Sequence, residues 1–227
     1  MASNPSRPSA PDPLTSSSPV PRPSPTPLVR IVDDDASFLT ALARMLRASG
    51  FAVKTFASAE EFLSRPELEV PGCVIVDLQM PGLSGLELQK ALAKDGHGLP
   101  VVFLSGQGDI ATTVRAMRRG AEDFLTKRAP RAEVLDAVKR ALDRDALERA
   151  ERTRRDAVRA RFAALTPREW EVLQHVVQGQ LNKQIAFDLG IHERTVKLHR
   201  TALTTKLGVS SVAELTKLWM EMGGLEA

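Results

Sequence analysis

Between residues 28 and 143, short apolar runs alternate with longer segments whose apolar side chains recur every three or four residues. The runs at 29–32, 51–56, 73–76, 100–104 and 123–126 read as strands, and the third is continuous enough to be buried on both faces of a parallel sheet. The segments 36–49, 59–63, 85–93, 110–119 and 131–142 read as amphipathic helices. In the first of these Phe38, Leu39, Leu42, Met45 and Leu46 share a face, and Gly50 stops it. Five strands alternating with five helices predict an α/β domain, doubly wound around a five-stranded parallel sheet. Right-handed crossovers put helices on both faces and leave the carboxyl edge of the strands open, which is where such sheets bind ligands.

Past residue 143 the pattern changes. Residues 144–163 are rich in Arg and Ala, and the acid-then-base pairs Asp145/Arg149, Glu148/Arg152 and Glu151/Arg155 are spaced four apart. The last helix of the α/β domain is therefore expected to run on into a solvated helical linker. Residues 164–227 predict a small all-α domain. Thr166, Pro167 and Glu169 form a capping box that starts a helix, which carries Val172, Leu173, Val176 and Val177 inward and stops at Gly179. A second helix runs from Asn182 through Leu189, Gly190 turns it, and a third spans 193–207 with Val196, Leu203 and Leu207 inward. Helix, glycine turn and helix in this order give a helix-turn-helix. Residues 1–27 hold nine of the fifteen prolines and almost no large apolar side chains. Such a tail buries too little surface to offset chain entropy and is expected to be disordered with some polyproline II character.

Charge changes this picture in one respect. The formal net charge is +3, yet residues 139–161 hold nine basic against five acidic groups, while residues 162–227 hold seven of each. The basic character belongs to the linker, so the overall isoelectric point is no argument about the second domain. A solvated spacer is the simpler reading of the linker charge, with pairing of linker helices in a dimer as the alternative. No apolar run nears the ~20 residues of a membrane span. The single cysteine, Cys73, starts a buried strand, which fits a reducing, cytoplasmic setting.

The strand ends carry the chemistry. In order they deliver Asp33-Asp34-Asp35, then Asp77, then Ser105, then Lys127. Clustered carboxylates on one sheet edge suit Mg²⁺, although a lone Asp77 also reads as a residue that ends a strand or caps the next helix. Val-Asp-Asp at 32–34, Asp-x-x-Met-Pro-Gly-x-x-Gly at 77–85, Ser105 and Lys127 together resemble the receiver domain of two-component response regulators, a flavodoxin-like fold. That resemblance implies that Asp77 is the phosphoacceptor and that Asp33, Asp34, Asp77 and the backbone carbonyl of Gln79 hold Mg²⁺. It implies further that Ser105 and Lys127 bind the phosphoryl group and that Phe124 is the aromatic switch. Arg128 stands where the family usually has a proline, so the loop at Lys127 either holds a costly cis bond or is trans.

Leu-Thr-Pro-Arg-Glu at 165–169, Asn-Lys-x-Ile-Ala at 182–186, Thr-Val-Lys-x-His-Arg at 195–200 and Lys-Leu-Gly at 206–208 resemble the LuxR-type helix-turn-helix. With a receiver domain before it, the chain resembles the NarL/FixJ class. His192 replaces a common serine cap and is expected to start the third helix poorly, and Trp170 stands where a charged residue is common. On a helical wheel Arg194, Lys197, Leu198, Thr201 and Thr205 point away from the inward face. Leu198 either meets a thymine methyl or is an ordinary exposed leucine. Arg200 and Lys206 lie at the flanks and are expected to contact phosphate.

The expected function is that of a DNA-binding transcriptional regulator, not an enzyme, controlled by phosphorylation of Asp77 by a sensor histidine kinase. Its expected partners are double-stranded promoter DNA, RNA polymerase and, once phosphorylated, a second copy of the chain. That dimer is expected around Arg115, Arg118 and Arg119, with Glu122, Asp123 and Glu133 as acidic partners across a two-fold axis. Two alternatives are a Mg²⁺-dependent phosphohydrolase, which an aspartyl phosphate also serves, and a receiver that works unphosphorylated.

Overall fold

The structure, a computed structural model, describes residues 26–64, 69–94, 98–106 and 110–223. The predicted disordered tail thus lies outside the described residues except for positions 26 and 27. Strands β1 (Leu28–Val32), β2 (Ala52–Phe56), β3 (Gly72–Asp77), β4 (Val101–Ser105) and β5 (Asp123–Thr126) form one parallel sheet in the order β2-β1-β3-β4-β5. Helices α1 (Ala36–Ala48), α2 (Ala59–Leu63), α3 (Gly85–Lys94), α4 (Ile110–Arg118) and α5 (Arg131–Ala163) alternate with them. This is the doubly wound receiver architecture, followed by a helical linker and an all-α domain. All six residues of β3 are buried. Its side chains alternate faces, as a strand's must. Cys73 and Ile75 join Leu39, Leu42, Leu46, Val134 and Val138 on the side of α1 and α5, while Val74 and Val76 join Phe62, Leu88, Leu92 and Ala116 on the other. Burial pushes the Cys73 thiol up to about 12, which leaves it a small core residue.

Helix α5 runs on into the linker as expected, but parts of it are buried. It is one unbroken helix of 33 residues, about 50 Å long at 1.5 Å per residue. Two of its stretches are not solvated. At the amino edge of the sheet Asp145 is buried, and its carboxylate accepts the Gly72 N–H at 2.7 Å and pairs with Arg149 at 2.9 Å. Arg149 in turn donates to the Glu69 carbonyl at 3.0 Å. Gly72 also lets β3 lie close against β1, because a Cβ there would sit 1.9 Å from the Leu28 carbonyl oxygen. At its far end, Val158 and Phe162 enter the core of the second domain.

That domain consists of α6 (Pro167–Val177), α7 (Asn182–Asp188), α8 (Glu193–Leu207) and α9 (Val212–Glu221). The capping box at Thr166 and Glu169 is present as predicted. Its α9 was not foreseen; Ser211 caps it, and Leu215 and Trp219 are buried. Trp170, Trp219 and Phe162 pack with ring centroids 5.4–6.1 Å apart. Trp170 is therefore the joint of α5, α6 and α9 rather than a surface position. Among the described residues no helix is long and apolar enough to cross a membrane.

Candidate functional site

The carboxyl edge of the sheet gathers the predicted acidic groups. Asp33, Asp34 and Asp77 each place a carboxylate oxygen within 4.8 Å of the others. Asp33 is 1% exposed, and its Oδ1 accepts the Asp35 N–H at 2.9 Å. Asp35 itself is the N-cap of α1, accepting the N–H groups of Ser37 and Phe38 at 2.9 and 3.1 Å. The three consecutive aspartates therefore divide their work: two face the site and the third builds the helix that follows. After Asp77, the Gln79 N–H donates to its Oδ1 at 3.2 Å. Gly85 lets the chain turn back tightly, since a Cβ there would lie 2.3 Å from the Asp77 carbonyl oxygen.

Lys127 closes the cluster. Its Nζ is 2.7 Å from Asp33 Oδ2 and 2.7 Å from Asp77 Oδ2. The peptide bond after it is trans, as is every bond among the described residues. Its backbone is fixed by its N–H donating to the Ser105 carbonyl at 2.9 Å and by Ala129 donating to Thr126 at 2.9 Å. The loop thus places Lys127 without the usual proline. Burial works to lower the Lys127 pKa, but the hydrogen bonds to Asp33 and Asp77 outweigh it and hold the ammonium charged. Burial raises Asp33 above its ordinary value, with Lys127 and the Asp35 N–H only partly countering. A desolvated carboxylate held this way favours added positive charge. An oxygen-only donor set of three carboxylates fits a hard divalent cation.

Ser105 is buried at the end of β4, in register with Thr126. Phe124 is in register with Phe103, and their rings lie 5.9 Å apart. Since alternate residues of a strand share a face, Phe124 sits one pair along from Ser105 on the same face. The neighbouring α4 is held lightly. Only Thr112 and Ala116 are buried in it, Gln89 Nε2 donates to the Ala116 and Arg119 carbonyls at 3.3 Å, and Ile110, Val114 and Met117 are exposed. Two of the acidic residues expected at a dimer contact have partners within the chain. Arg140 of α5 pairs with Glu122 and Asp123, and Arg144 pairs with Glu122. The spacing along α5 turns those arginines onto β5, which sequence order does not reveal.

In the second domain α8 presents Arg194, Lys197, Leu198, Thr201 and Thr205 to solvent, with Val196, Leu203 and Leu207 buried. Leu198 is 68% exposed. His192 occupies the N-cap without any side-chain cap bond, as its chemistry predicts. Arg200 is half-buried and donates to Asn182 Oδ1 at 2.8 Å, tying α8 to the start of α7. Lys206 has a partner within the domain: its Nζ is bound at 2.7 Å to Glu169, a buried carboxylate in the first turn of α6. The same carboxylate accepts the Thr166 N–H at 2.8 Å. Lys206 therefore fastens α8 to α6, a role its wheel position could not reveal without knowing where α6 begins.

Comparison with known proteins agrees with this geometry. Residues 29–139 match the family described as response regulator receiver domain, and residues 163–219 match bacterial regulatory proteins of the luxR family. The response regulator protein TodT of Pseudomonas putida is 39% identical over 191 residues, 84% of each chain. The transcriptional regulatory protein FixJ of Azorhizobium caulinodans is 40% identical over 195 residues, 86% of this chain and 92% of that one. Among solved structures, the response regulator StyR superposes with a TM-score of 0.79 at 44% identity, covering 86% of this chain and 99% of its own. Full-length FixJ from B. japonicum gives 0.54 at 32% identity, covering 88% and 98%. The chain belongs to the response regulators that join a receiver domain to a LuxR-type helix-turn-helix. By family it is a phosphorylation-regulated, DNA-binding transcription factor rather than a catalyst, and its fold implies a cognate histidine kinase as partner.

Proposed function

We propose that Asp77 accepts a phosphoryl group from a sensor histidine kinase and that Mg²⁺ is held by Asp33, Asp34, Asp77 and the backbone carbonyl of Gln79. The observation that carries this is the three carboxylates within 4.8 Å of one another, with Lys127 bridging two of them. When bound, the metal neutralises charge on the phosphoryl oxygens. An Asp77 carboxylate oxygen attacks phosphorus, the P–N bond to the kinase histidine breaks, and its electron pair stays on the imidazole. The Lys127 ammonium exchanges its carboxylate partners for the phosphoryl oxygens, and the Ser105 hydroxyl turns to donate to them. Phe124 then fills the space that Ser105 leaves, which shifts α4 within a pre-existing equilibrium. The exposed Ile110, Val114 and Met117 line of α4 is the surface through which two phosphorylated copies pair.

Paired chains set two α8 helices in successive major grooves of promoter DNA. Arg194, Lys197, Leu198 and Thr201 read base edges, Leu198 against a thymine methyl, while Arg200 bonds phosphate. RNA polymerase is the downstream partner of the DNA-bound dimer. Incubation of the full chain with acetyl phosphate and Mg²⁺, read by intact mass and by sedimentation, tests the reading. One phosphate per chain and a dimer are expected; Asp77→Asn should gain none, and Val114→Glu should be labelled but remain monomeric. Equal labelling of Asp77→Asn sinks the assignment.

A further inference from the structure

Lys127 has a third neighbour that the family motifs do not mention. Its Nζ lies 4.7 Å from the centroid of the Phe38 ring, over the ring face. An ammonium in that place is drawn to the negative face of the π-system. Phe38 is itself well placed to hold still. Its backbone N–H donates to the cap residue Asp35 at 3.1 Å, and its half-buried side chain packs against the core shared by α1 and α5.

We infer that Phe38 is a positioning residue for phosphoryl transfer: its ring face holds the Lys127 ammonium over Asp77. The inference rests on the assignment of Asp77 as phosphoacceptor. A lysine side chain has four rotatable bonds, and the loop fixes only its backbone. Of the three groups around the ammonium, two change character during the reaction. Asp77 becomes the acyl phosphate, and Asp33 is one of the groups that would hold Mg²⁺. The Phe38 face is the same before and after, so it keeps the ammonium in the site while its anionic partners are exchanged. Because phosphorus arrives between Asp77 and this ammonium, holding the cation there stabilises the charge that develops on the equatorial oxygens. The covalent change is unaltered: an Asp77 oxygen bonds to phosphorus, the donor P–O bond breaks, and acetate leaves with the electron pair when acetyl phosphate is the donor.

The test compares full-length wild type, Phe38→Leu and Phe38→Tyr, with acetyl phosphate and Mg²⁺, following phosphate gain by intact mass and Mg²⁺ affinity by calorimetry. Leucine keeps the apolar body on α1 and removes the π-face; tyrosine keeps both. Phe38→Leu should label about two- to five-fold more slowly, the worth of a partly exposed cation–π contact. Phe38→Tyr should label at the wild-type rate, and Mg²⁺ affinity should stay within about two-fold across all three, since the contact is to the ammonium rather than to the carboxylates. If Phe38→Leu does not fold, Phe38→Met carries the same comparison. Labelling of the leucine variant at or above the wild-type rate overturns the inference. So does equal slowing by tyrosine, which means that packing rather than the ring face matters, or a ten-fold loss of Mg²⁺ affinity, which means that the acidic cluster has been disturbed. Wild type that gains no phosphate brings down the phosphoacceptor reading itself, and this inference with it.

Discussion

Replacing Lys206 by Met separates two roles for one cation at the edge of the recognition helix. The substitution keeps most of the aliphatic stem and removes the charge. Two unit charges about 4 Å apart in a surface-like environment attract by roughly 4 kcal/mol before desolvation is counted. The Lys206 side chain is 36% exposed and keeps much of its hydration, whereas Glu169 is 7% exposed. Screening on the lysine side reduces the gain towards the value of a surface pair, while stranding a buried carboxylate increases the loss, so about 1–2 kcal/mol is expected. For a small helical domain this is a fall in Tm of about 5–15 °C, measurable by far-UV circular dichroism. The pH dependence carries the same signature. The Lys206 hydrogen bond, followed by the Thr166 N–H, holds the Glu169 carboxyl below its ordinary value of 4.5. A depressed acid stabilises the fold fully above its unfolded pKa and loses that contribution as pH falls through the lower folded pKa. Lys206→Met should therefore flatten the acid limb of the stability curve below pH 4.5. Its DNA binding should retain the wild-type salt slope. An unchanged Tm together with a salt slope reduced by about 0.9 would refute this reasoning and return Lys206 to the phosphate backbone.

Other substitutions probe the remaining contacts. Leu198→Ala should lose about 1–3 kcal/mol at one base position of the cognate site with little change on random DNA; equal loss on both DNAs places the helix wrongly in the groove. Arg200→Ala should weaken binding to all sequences alike and lower the salt slope by about 0.9 in titrations across salt, and altered base preference at constant slope contradicts it. Asp145→Ala leaves the buried Gly72 N–H and Arg149 without their carboxylate, and should cost the receiver about 2–4 kcal/mol in urea denaturation. A loss below about 1 kcal/mol means that water replaces it.

What was legible in the sequence follows from how local each signal is. The continuous run ending at Asp77 and the Thr166-Pro167-Glu169 start are set by nearest neighbours, and the structure reproduces both. The acidic edge was legible because strand ends in a parallel sheet converge whatever fills the loops. Asp145 was misread as one of several exposed pairs four apart, because only the fold brings the Gly72 amide to it across 73 positions of chain. The pairing of Lys206 with Glu169, and of Arg140 and Arg144 with β5, was not legible for the same reason: a helical wheel gives direction but not what lies in that direction. Phe38 fitted a core stripe, and nothing local distinguishes a ring whose edge meets the core from one whose face meets a cation. For α9 a local signal did exist, since Ser211 caps it three residues before Glu214, whose N–H it accepts at 3.2 Å.

The unbroken α5 makes the angle between sensing and DNA-reading units a matter of helical phase. Each residue advances an α-helix by 100° and about 1.5 Å. One residue inserted among the exposed positions 150–157 would swing the DNA-reading domain by more than a quarter-turn about the helix axis, leaving both cores whole. Seven residues would bring it back to within about 20°, displaced by some 10 Å. Chimeras that exchange receivers between such regulators should therefore obey a periodicity of about seven in where the helix is joined, and a junction out of phase should yield a protein that folds and accepts phosphate yet points its recognition helices away from a shared groove.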